Sequence, residues 1–456
     1  MVTFLKKYKV DILLLLFLTF TLPLFFYKLG QSSLVSFDEA WYAEIAKNIL
    51  KTNDPINLTW NGNSYIDHPP AGFWLMAASM KIIGDGEFAV RFTAAFLGFL
   101  SLVVIYFLGK ELFSRVVGFC SALAFSSSFW FLFRARSGNL DIPLTFFFLL
   151  SLLLAWKSST NKKFLLPWSI SLIFLLLTKT LVPLTILPSL IIIFWKSKLN
   201  LKDFLWSFSL VISVAGGWFL LNIIRDTNFI GHYLGIGLPG IKTQTNYWEN
   251  LKLMKEYLHF GIGKWFWPGI MATFLSLVLR QKRFLCLSVF FLTFFLPFIF
   301  SQKGHIWHLI PLYPILTLSF FGFSFVVLKM IIKNQIFING ILLVVAIAIS
   351  LFQIKIVWRQ FINIPAFISD EAILSRETAN LPGRFFIDGD FVPAAVYYSG
   401  KQVSQITTDG IKPLFEQKGP FTLITKEYRL VEAGLSKTEY KIIKSDRDKI
   451  LIFKKS

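Results

Sequence analysis

The sequence predicts an α-helical polytopic membrane protein with about eleven spanning helices and a small extracytoplasmic α/β domain at its C-terminal end. Its 456 residues are 55% hydrophobic and 17% aromatic, and only 16% are charged, against about 25% in soluble chains. The 52 phenylalanines exceed what soluble cores of this size bury, so lipid must cover much of the surface. The two cysteines, Cys120 and Cys286, lie inside apolar runs and provide no disulfide framework.

Apolar runs near the length that crosses a bilayer, about 20 residues, recur along the first 357 positions. The first run follows three lysines and is interpreted as a retained span, because no small-residue cleavage site follows it. In chain order the runs cover 10–27, 88–109, 115–133, 141–156, 164–178, 181–195, 204–222, 265–280, 284–301, 308–329 and 335–357.

The lysines and arginines predict the orientation of these spans. The formal net charge is +20, and the cations concentrate in short loops between alternate spans. Placing the N-terminus in the cytoplasm puts these loops on the cytoplasmic side, as the positive-inside rule requires, where they contact anionic lipid. The expected location is therefore the plasma (inner) membrane, and no nucleic-acid partner is expected. The loops 28–87 and 223–264 and the C-terminus then face outward.

The chain changes character after the last span. Short apolar segments at 384–390, 421–425 and 450–453 are bounded by Gly, Pro and charged residues, which is typical of buried strands, and 369–380 has a helical pattern. The sequence thus predicts a membrane domain at 1–357 and an extracytoplasmic α/β domain at 358–456.

Two adjacent acids, Asp38 and Glu39, open an amphipathic segment in the first outward loop. Two adjacent carboxylates at the membrane surface are candidates for a functional site. The same two acids are also typical of a helix start, where Asp caps free amides and Glu favours the positive end of the dipole. The residues alone leave both interpretations open.

A second polar turn contains Asp67 and His68, directly before Pro69 and Pro70. The prolines restrict the backbone and hold the two side chains on a rigid turn. A carboxylate and an imidazole in this arrangement suit a divalent metal or a phosphate. A turn whose polar residues simply face water is the alternative.

Six motifs along the chain match, in order, those of one enzyme family. They are Asp38-Glu39; Asp67-His-Pro-Pro70 with Trp74; Glu87-Phe-Ala-Val-Arg91; Arg134-Ala-Arg-Ser-Gly-Asn-Leu-Asp141; Leu177-Thr-Lys179-Thr-Leu-Val-Pro183; and Lys303 with Trp307-His308-Leu-Ile-Pro311. Over roughly residues 30–320 the chain therefore resembles the GT-C-fold membrane glycosyltransferases of the protein O-mannosyltransferase and lipid A aminoarabinose transferase superfamily.

The resemblance implies an activity. It implies transfer of a sugar from a polyprenyl phosphate, of the undecaprenyl or dolichyl type, to a lipid, glycan or protein acceptor on the outer side of the membrane. It also implies roles. Asp38 matches the family's candidate general base, with Glu39 and Asp141 as further catalytic acids. Asp67 occupies a position near a bound metal, so Asp67 and His68 are candidate ligands of a divalent ion.

The cations on the outward side complete the expected site. His68 stands where the family often has a lysine that contacts the donor phosphate, and Lys179 matches a Thr-Lys motif. A leaving phosphate buried at an interface needs positive charge, which the following residues supply: Arg134, Arg136, Lys179 and Lys303. Because this leaving group needs no general acid, one carboxylate base is sufficient, as in a single inverting displacement. The arginines also fit simple snorkelling to head groups.

The chain departs from the family pattern near its last motif. Lys303 is displaced by one residue, and His308 stands where the family has a tyrosine. Two other classes compete with a transferase: a transporter or flippase, and a non-catalytic scaffold. A transporter is expected to have ionisable residues in mid-span and matched interrupted helices, and a scaffold needs no acids gathered on one side.

Overall fold

The computed structural model describes residues 2–195, 197, 199–237, 246–301, 304–389 and 392–454, with side chains from position 10 onward. Lys303, one of the predicted phosphate-binding residues, lies outside these ranges.

Helices account for most of the chain up to residue 357. In chain order they are α1 (Val2–Phe26), α2 (Asp38–Thr52), α3 (Ala71–Ile83), α4 (Glu87–Leu112), α5 (Arg115–Ser126), α6 (Phe129–Ala135), α7 (Asp141–Ser158), α8 (Leu165–Leu176), α9 (Leu187–Phe194), α10 (Leu201–Val211), α11 (Gly217–Arg225), α12 (Phe229–Gly237), α13 (Tyr247–Ile262), α14 (Phe266–Leu275), α15 (Lys282–Ile299), α16 (Leu312–Ile331) and α17 (Gln335–Val357). A two-stranded hairpin, β1 (Thr59–Trp60) and β2 (Asn63–Ser64), lies between α2 and α3.

The remaining elements alternate between helices and strands. They are α18 (Asp370–Thr378), β3 (Arg384–Asp388), α19 (Val392–Ser399), β4 (Val403–Ile406), α20 (Thr408–Glu416), β5 (Phe421–Lys426), α21 (Glu427–Glu432), β6 (Lys441–Asp446) and β7 (Lys449–Lys454). The predicted helix at 369–380 and the three predicted strands are thereby confirmed, whereas β4 and β6 were not predicted.

The multi-pass helical architecture is confirmed, but the predicted count of eleven spans is not. Among the described residues, seven helices are long and apolar enough to cross a membrane, and the pair α5 and α6, bent by 72°, makes an eighth candidate. Other predicted runs form shorter helices. The run at 181–195, for example, begins as a 3-10 turn at Val182–Ile186 and leaves only eight residues for α9, because Pro183 and Pro188 favour helix starts.

The chain forms two compact units, and their boundaries differ from the predicted domain division at 357/358. The first unit comprises residues 1–28, 66–72 and 93–364, and the second comprises 29–65, 73–92 and 365–456. Most of the segment 28–87 therefore clusters with the C-terminal residues, a long-range association that local sequence patterns do not contain.

The second unit is built around a five-stranded sheet of order β4-β3-β5-β7-β6, parallel for β4, β3 and β5 and antiparallel for the rest. Alternate side chains of β3 enter two cores, because successive residues of a strand point to opposite faces. Phe386 packs with α20 and α21, whereas Phe385 and Ile387 pack with α18 and α19. The sheet is therefore covered by helices on both faces.

The hairpin of β1 and β2 joins the β4 edge of this sheet. The Asn61 side-chain amide donates to the carbonyl of Val403 and its Oδ1 accepts from the Val403 N–H, both at 2.8 Å. Asn61 thereby satisfies an edge residue that would otherwise present free backbone groups. Tyr398 of α19 accepts from the Leu34 N–H at 2.6 Å, which fixes the segment that leads into α2.

Candidate functional site

Asp141, the first residue of α7, binds two cations in the first compact unit. Lys179 Nζ lies 2.5 Å from Asp141 Oδ1, and Arg134 Nη2 lies 2.8 Å from Asp141 Oδ2. The carboxylate is 2% exposed, and both cations are largely buried. One negative and two positive charges leave a net positive charge where solvent screening is weak. Such a cluster is suited to bind an anion.

Asn139 shapes the loop that brings Arg134 to Asp141. Its Oδ1 accepts from the backbone N–H groups of Asp141 and Ile142, and its Nδ2 donates to the Arg134 carbonyl at 2.6 Å. The amide therefore caps the start of α7 and closes the preceding turn. Asn139 was not predicted as a site residue, although an Asn two positions before a helix is a recognisable turn signal.

Aromatic rings cover the other side of Arg134. Its guanidinium lies 5.1 Å from the centre of the Trp307 ring, a cation–π distance. His305 stacks on the same indole with ring centres 4.6 Å apart. His308 lies half-buried in the same segment, and burial followed by the charge of Lys179 holds the pKa of its imidazole well below the usual value. The motif that departs from the family pattern therefore belongs to this cluster.

The turn of Asp67 and His68 is attached to the segment that contains Lys179. Thr180 Oγ1 donates to the Asp67 carbonyl at 2.8 Å and lies 2.8 Å from His68 Nδ1. Because the hydroxyl has one proton, His68 Nδ1 must be the donor of the second bond. Burial, followed by the ammonium of Lys179, lowers the pKa of His68 to about 3. At neutral pH His68 is therefore an Nδ1–H imidazole whose Nε2 is an acceptor.

The predicted metal ligands do not converge on one point. The Asp67 carboxylate turns to His232 of α12, with Oδ1 and Nε2 2.7 Å apart, while His68 is bonded to Thr180. Within the part of the chain that the structure describes, no three His, Cys, Asp or Glu side chains are gathered as metal ligands. In this arrangement Asp67 and His68 do not fit a shared metal ion, because their side chains bind different partners. His232 was not predicted as a site residue, because it is separated from Asp67 by 165 positions.

Glu39, predicted as a catalytic acid, is held in the second compact unit by Arg91. The two carboxylate oxygens accept from Arg91 Nε and Nη2 at 2.7 and 2.9 Å, and Oε2 also accepts from the Val35 N–H. The remaining Arg91 donors bind the carbonyls of Leu29, Ser32 and Ser33, so all five guanidinium N–H groups are used. Glu39 is 3% exposed. This geometry favours a structural role for Glu39.

Asp38 immediately precedes this anchored residue. It is the first residue of α2 and is half-buried, and Phe37 occupies the N-cap position without a side-chain cap. The Glu39 carboxylate bridges Arg91 and the Val35 N–H at this helix start. Glu39 and Arg91 fix the backbone that carries the Asp38 carboxylate.

Arg136 has partners that differ from those of Arg134. Its guanidinium donates to the carbonyls of Leu24 at 3.2 Å and Tyr27 at 2.6 Å, which satisfies acceptors at the end of α1. This arrangement favours helix capping over phosphate binding.

The first compact unit brings together five of the predicted site residues, namely Asp67, His68, Arg134, Asp141 and Lys179.

Residues 67–217 match the family model of dolichyl-phosphate-mannose-protein mannosyltransferases. An uncharacterized protein of Aquifex aeolicus is 28% identical over 74% of this chain and 69% of its own length. An undecaprenyl phosphate-α-4-amino-4-deoxy-L-arabinose arabinosyl transferase of Pseudomonas savastanoi is 31% identical over 34% of this chain. The matched segment spans only 28% of that transferase.

Solved structures match over nearly the whole chain. ArnT of Cupriavidus metallidurans, bound to undecaprenyl phosphate, superposes with a TM-score of 0.76 at 14% identity, covering 96% of this chain and 97% of that one. The oligosaccharyltransferase AglB of Archaeoglobus fulgidus, in complex with an inhibitory peptide and a dolichol-phosphate, gives 0.58 at 12% identity over 88% and 64%. The predicted GT-C fold is thereby confirmed.

Proposed function

We propose that this chain, which has the GT-C fold and is related to the aminoarabinosyl and mannosyl transferases of membranes, is a glycosyltransferase that takes its sugar from a polyprenyl-phosphate donor. One observation supports the proposal most directly. Lys179 and Arg134 are held on the single buried carboxylate of Asp141, which leaves a preorganised positive charge. A transporter does not require this arrangement.

The chemistry of the donor explains why such a cluster is useful. The donor is a phosphodiester with one negative charge, and its carrier phosphate gains a second charge as the bond to the sugar breaks. Fixed cations therefore bind the transition state more tightly than the ground state, which is the condition for catalysis. The acceptor hydroxyl attacks the anomeric carbon, and its proton passes to the Asp38 carboxylate. A single displacement of this kind inverts the anomeric configuration.

The acceptor is a hydroxyl group of a lipid, glycan or protein on the outer side of the membrane. The most direct test incubates the purified full-length protein with undecaprenyl- and dolichyl-phosphate sugars, followed by mass spectrometry of candidate acceptors. Release of free polyprenyl phosphate together with a glycosylated acceptor is the expected result. Movement of the intact donor across vesicles without any transfer would instead support the flippase alternative.

His68 provides a test of the phosphate-binding role through pH. With a pKa lowered to about 3, His68 is neutral at working pH and has no second N–H for a phosphate oxygen. We therefore expect no alkaline limb in the kcat of the wild type from His68, because this group loses its proton well below neutral pH. His68→Lys should introduce such a limb, because the pKa of lysine is about 10.4.

The measurement is kcat against pH at saturating donor, with His68→Gln as the matched control. The glutamine variant should keep the flat profile of the wild type. An alkaline limb that is present in the wild type and lost in His68→Gln would contradict the neutral state of His68.

The proposed orientation, with the N-terminus in the cytoplasm and the C-terminus outside, is testable with thiol labelling. Cys120 and Cys286 are buried, so the wild type should react weakly. Cysteine introduced at the exposed Ser436 should react with a membrane-impermeant maleimide in intact cells, whereas cysteine at exposed Lys162 should react only after permeabilisation. The reverse pattern would invert the topology.

A further inference from the structure

A cavity of about 320 Å³ lies in the first compact unit between α13, the start of α14 and α17, beside the bend that separates α5 from α6. This volume is at the lower end of the range of about 300–1,000 Å³ for small-ligand sites. None of its lining residues takes part in the proposed reaction. Its apolar lining consists of Phe129, Phe260, Phe352, Ile356 and Val357.

Charged side chains occupy the α13 side of the same cavity. Glu256, His259 and Lys264 all line it and all are exposed. The spacing of 256, 259, 260 and 263 places these positions on one face of the helix. Within the described residues, neither Glu256 nor Lys264 forms an ion pair. One carboxylate and two basic groups therefore border an otherwise apolar cavity.

The polar groups deeper in the cavity bind one another. Gln353 Nε2 donates to Ser127 Oγ at 3.0 Å and to the Ser127 carbonyl at 3.2 Å, and Gln353 Oε1 accepts from the Lys264 N–H at 2.5 Å. Gly263, at φ +70°, permits this approach, because a Cβ there would lie 2.2 Å from Gln353 Oε1. A ligand would therefore meet apolar side chains inside the cavity and charges at its border.

We propose that this cavity binds one glycerophospholipid whose head group carries both a phosphate and an ammonium group. Lys264 and His259 pair with the phosphate, Glu256 pairs with the ammonium, and an acyl chain lies along the phenylalanine rings. The Glu256 carboxylate determines which class of lipid head group fits this site. A purely anionic head group, such as a polyprenyl monophosphate or a phosphatidylglycerol, would compete with Glu256 for Lys264 and His259 and would offer the carboxylate no cation.

The test uses the full-length protein, purified in detergent and delipidated, with native mass spectrometry. Phosphatidylethanolamine, phosphatidylglycerol and undecaprenyl phosphate are added separately at equal concentration. Phosphatidylethanolamine should be retained preferentially. Lys264→Gln should weaken its binding about five-fold, the effect of one basic residue at a lipid surface, and Glu256→Gln should abolish the preference over phosphatidylglycerol.

Lys255→Gln is the matched control, since Lys255 is exposed on α13 but does not line the cavity. It should bind phosphatidylethanolamine like the wild type, and all variants should retain the wild-type Tm. Equal weakening in Lys255→Gln, or tighter binding of undecaprenyl phosphate or phosphatidylglycerol than of phosphatidylethanolamine by the wild type, would overturn the proposal.

Discussion

Replacing Asp38 with asparagine is expected to lower kcat by about 10²–10⁴-fold, the usual contribution of a general base. The amide keeps the size of the side chain but cannot accept the proton of the acceptor hydroxyl. The fold should persist, because Arg91 anchors α2 through Glu39. The measurement is sugar transfer in detergent or reconstituted vesicles, together with the thermal unfolding temperature.

Glu39→Gln is the matched control for this experiment. It alters the neighbouring acid of the same helix start, but its expected effect is on stability. Arg91 would be left buried with an uncompensated charge, which costs about 3–5 kcal/mol. We therefore expect a lower Tm with kcat retained in the folded fraction. Unchanged transfer by the Asp38→Asn protein would refute the proposed base, and a low Tm in that variant would assign Asp38 a structural role.

Lys179→Gln is expected to lower kcat by about 10²–10³-fold, the effect of losing one preorganised donor at a developing negative charge. Asp141 would remain paired with Arg134 at 2.8 Å, so the carboxylate is not left alone in a buried position. The loss should therefore appear in transfer rate far more than in Tm. Lys179→Arg should recover part of the rate, because it restores the charge with a different geometry.

Lys162→Gln is the matched control for Lys179→Gln. Its ammonium lies 3.3 Å from Asp203 Oδ2, but the lysine side chain is 70% exposed. Exposed pairs contribute about 0–1 kcal/mol, so Lys162→Gln should alter neither rate nor Tm measurably. If Lys179→Gln transferred sugar at the wild-type rate, the buried cluster would be structural and the central support for the proposed function would be lost.

The elements predicted most accurately were those whose signal lies within a few residues. The apolar strands at 384–388, 421–426 and 449–454 and the helix at 370–378 follow from composition and boundary residues. The edge strand β6 was missed, because its side chains are mostly exposed and its pattern is not apolar. Span lengths were overestimated where a proline or a break shortens the helix, as at Pro183.

The candidate site also has a part that local sequence predicts and a part that it does not. Five of its polar residues were proposed from the sequence, because a charged residue beside an apolar run is costly unless it is bound. The partners of these residues were not predicted, because Lys179 and Asp141 are separated by 38 positions and Asp67 and His232 are separated by 165 positions. Glu39 and Arg136 illustrate the consequence. Both were assigned to chemistry by type and position, and both contact groups that favour structural roles.

The sequence by itself determined that this is a multi-pass membrane protein with a C-terminal α/β region, because hydropathy and strand patterns are local properties. It also offered Asp67, His68, Arg134, Asp141 and Lys179 as candidate site residues. Only the tertiary structure decided that Asp141 binds Lys179 and Arg134 together, that Asp67 turns to His232 and that most of the segment 28–87 clusters with the C-terminal residues. Those pairings join segments that are far apart in the chain. Their distances are set by loop closure and packing, and a local sequence pattern contains no information about them.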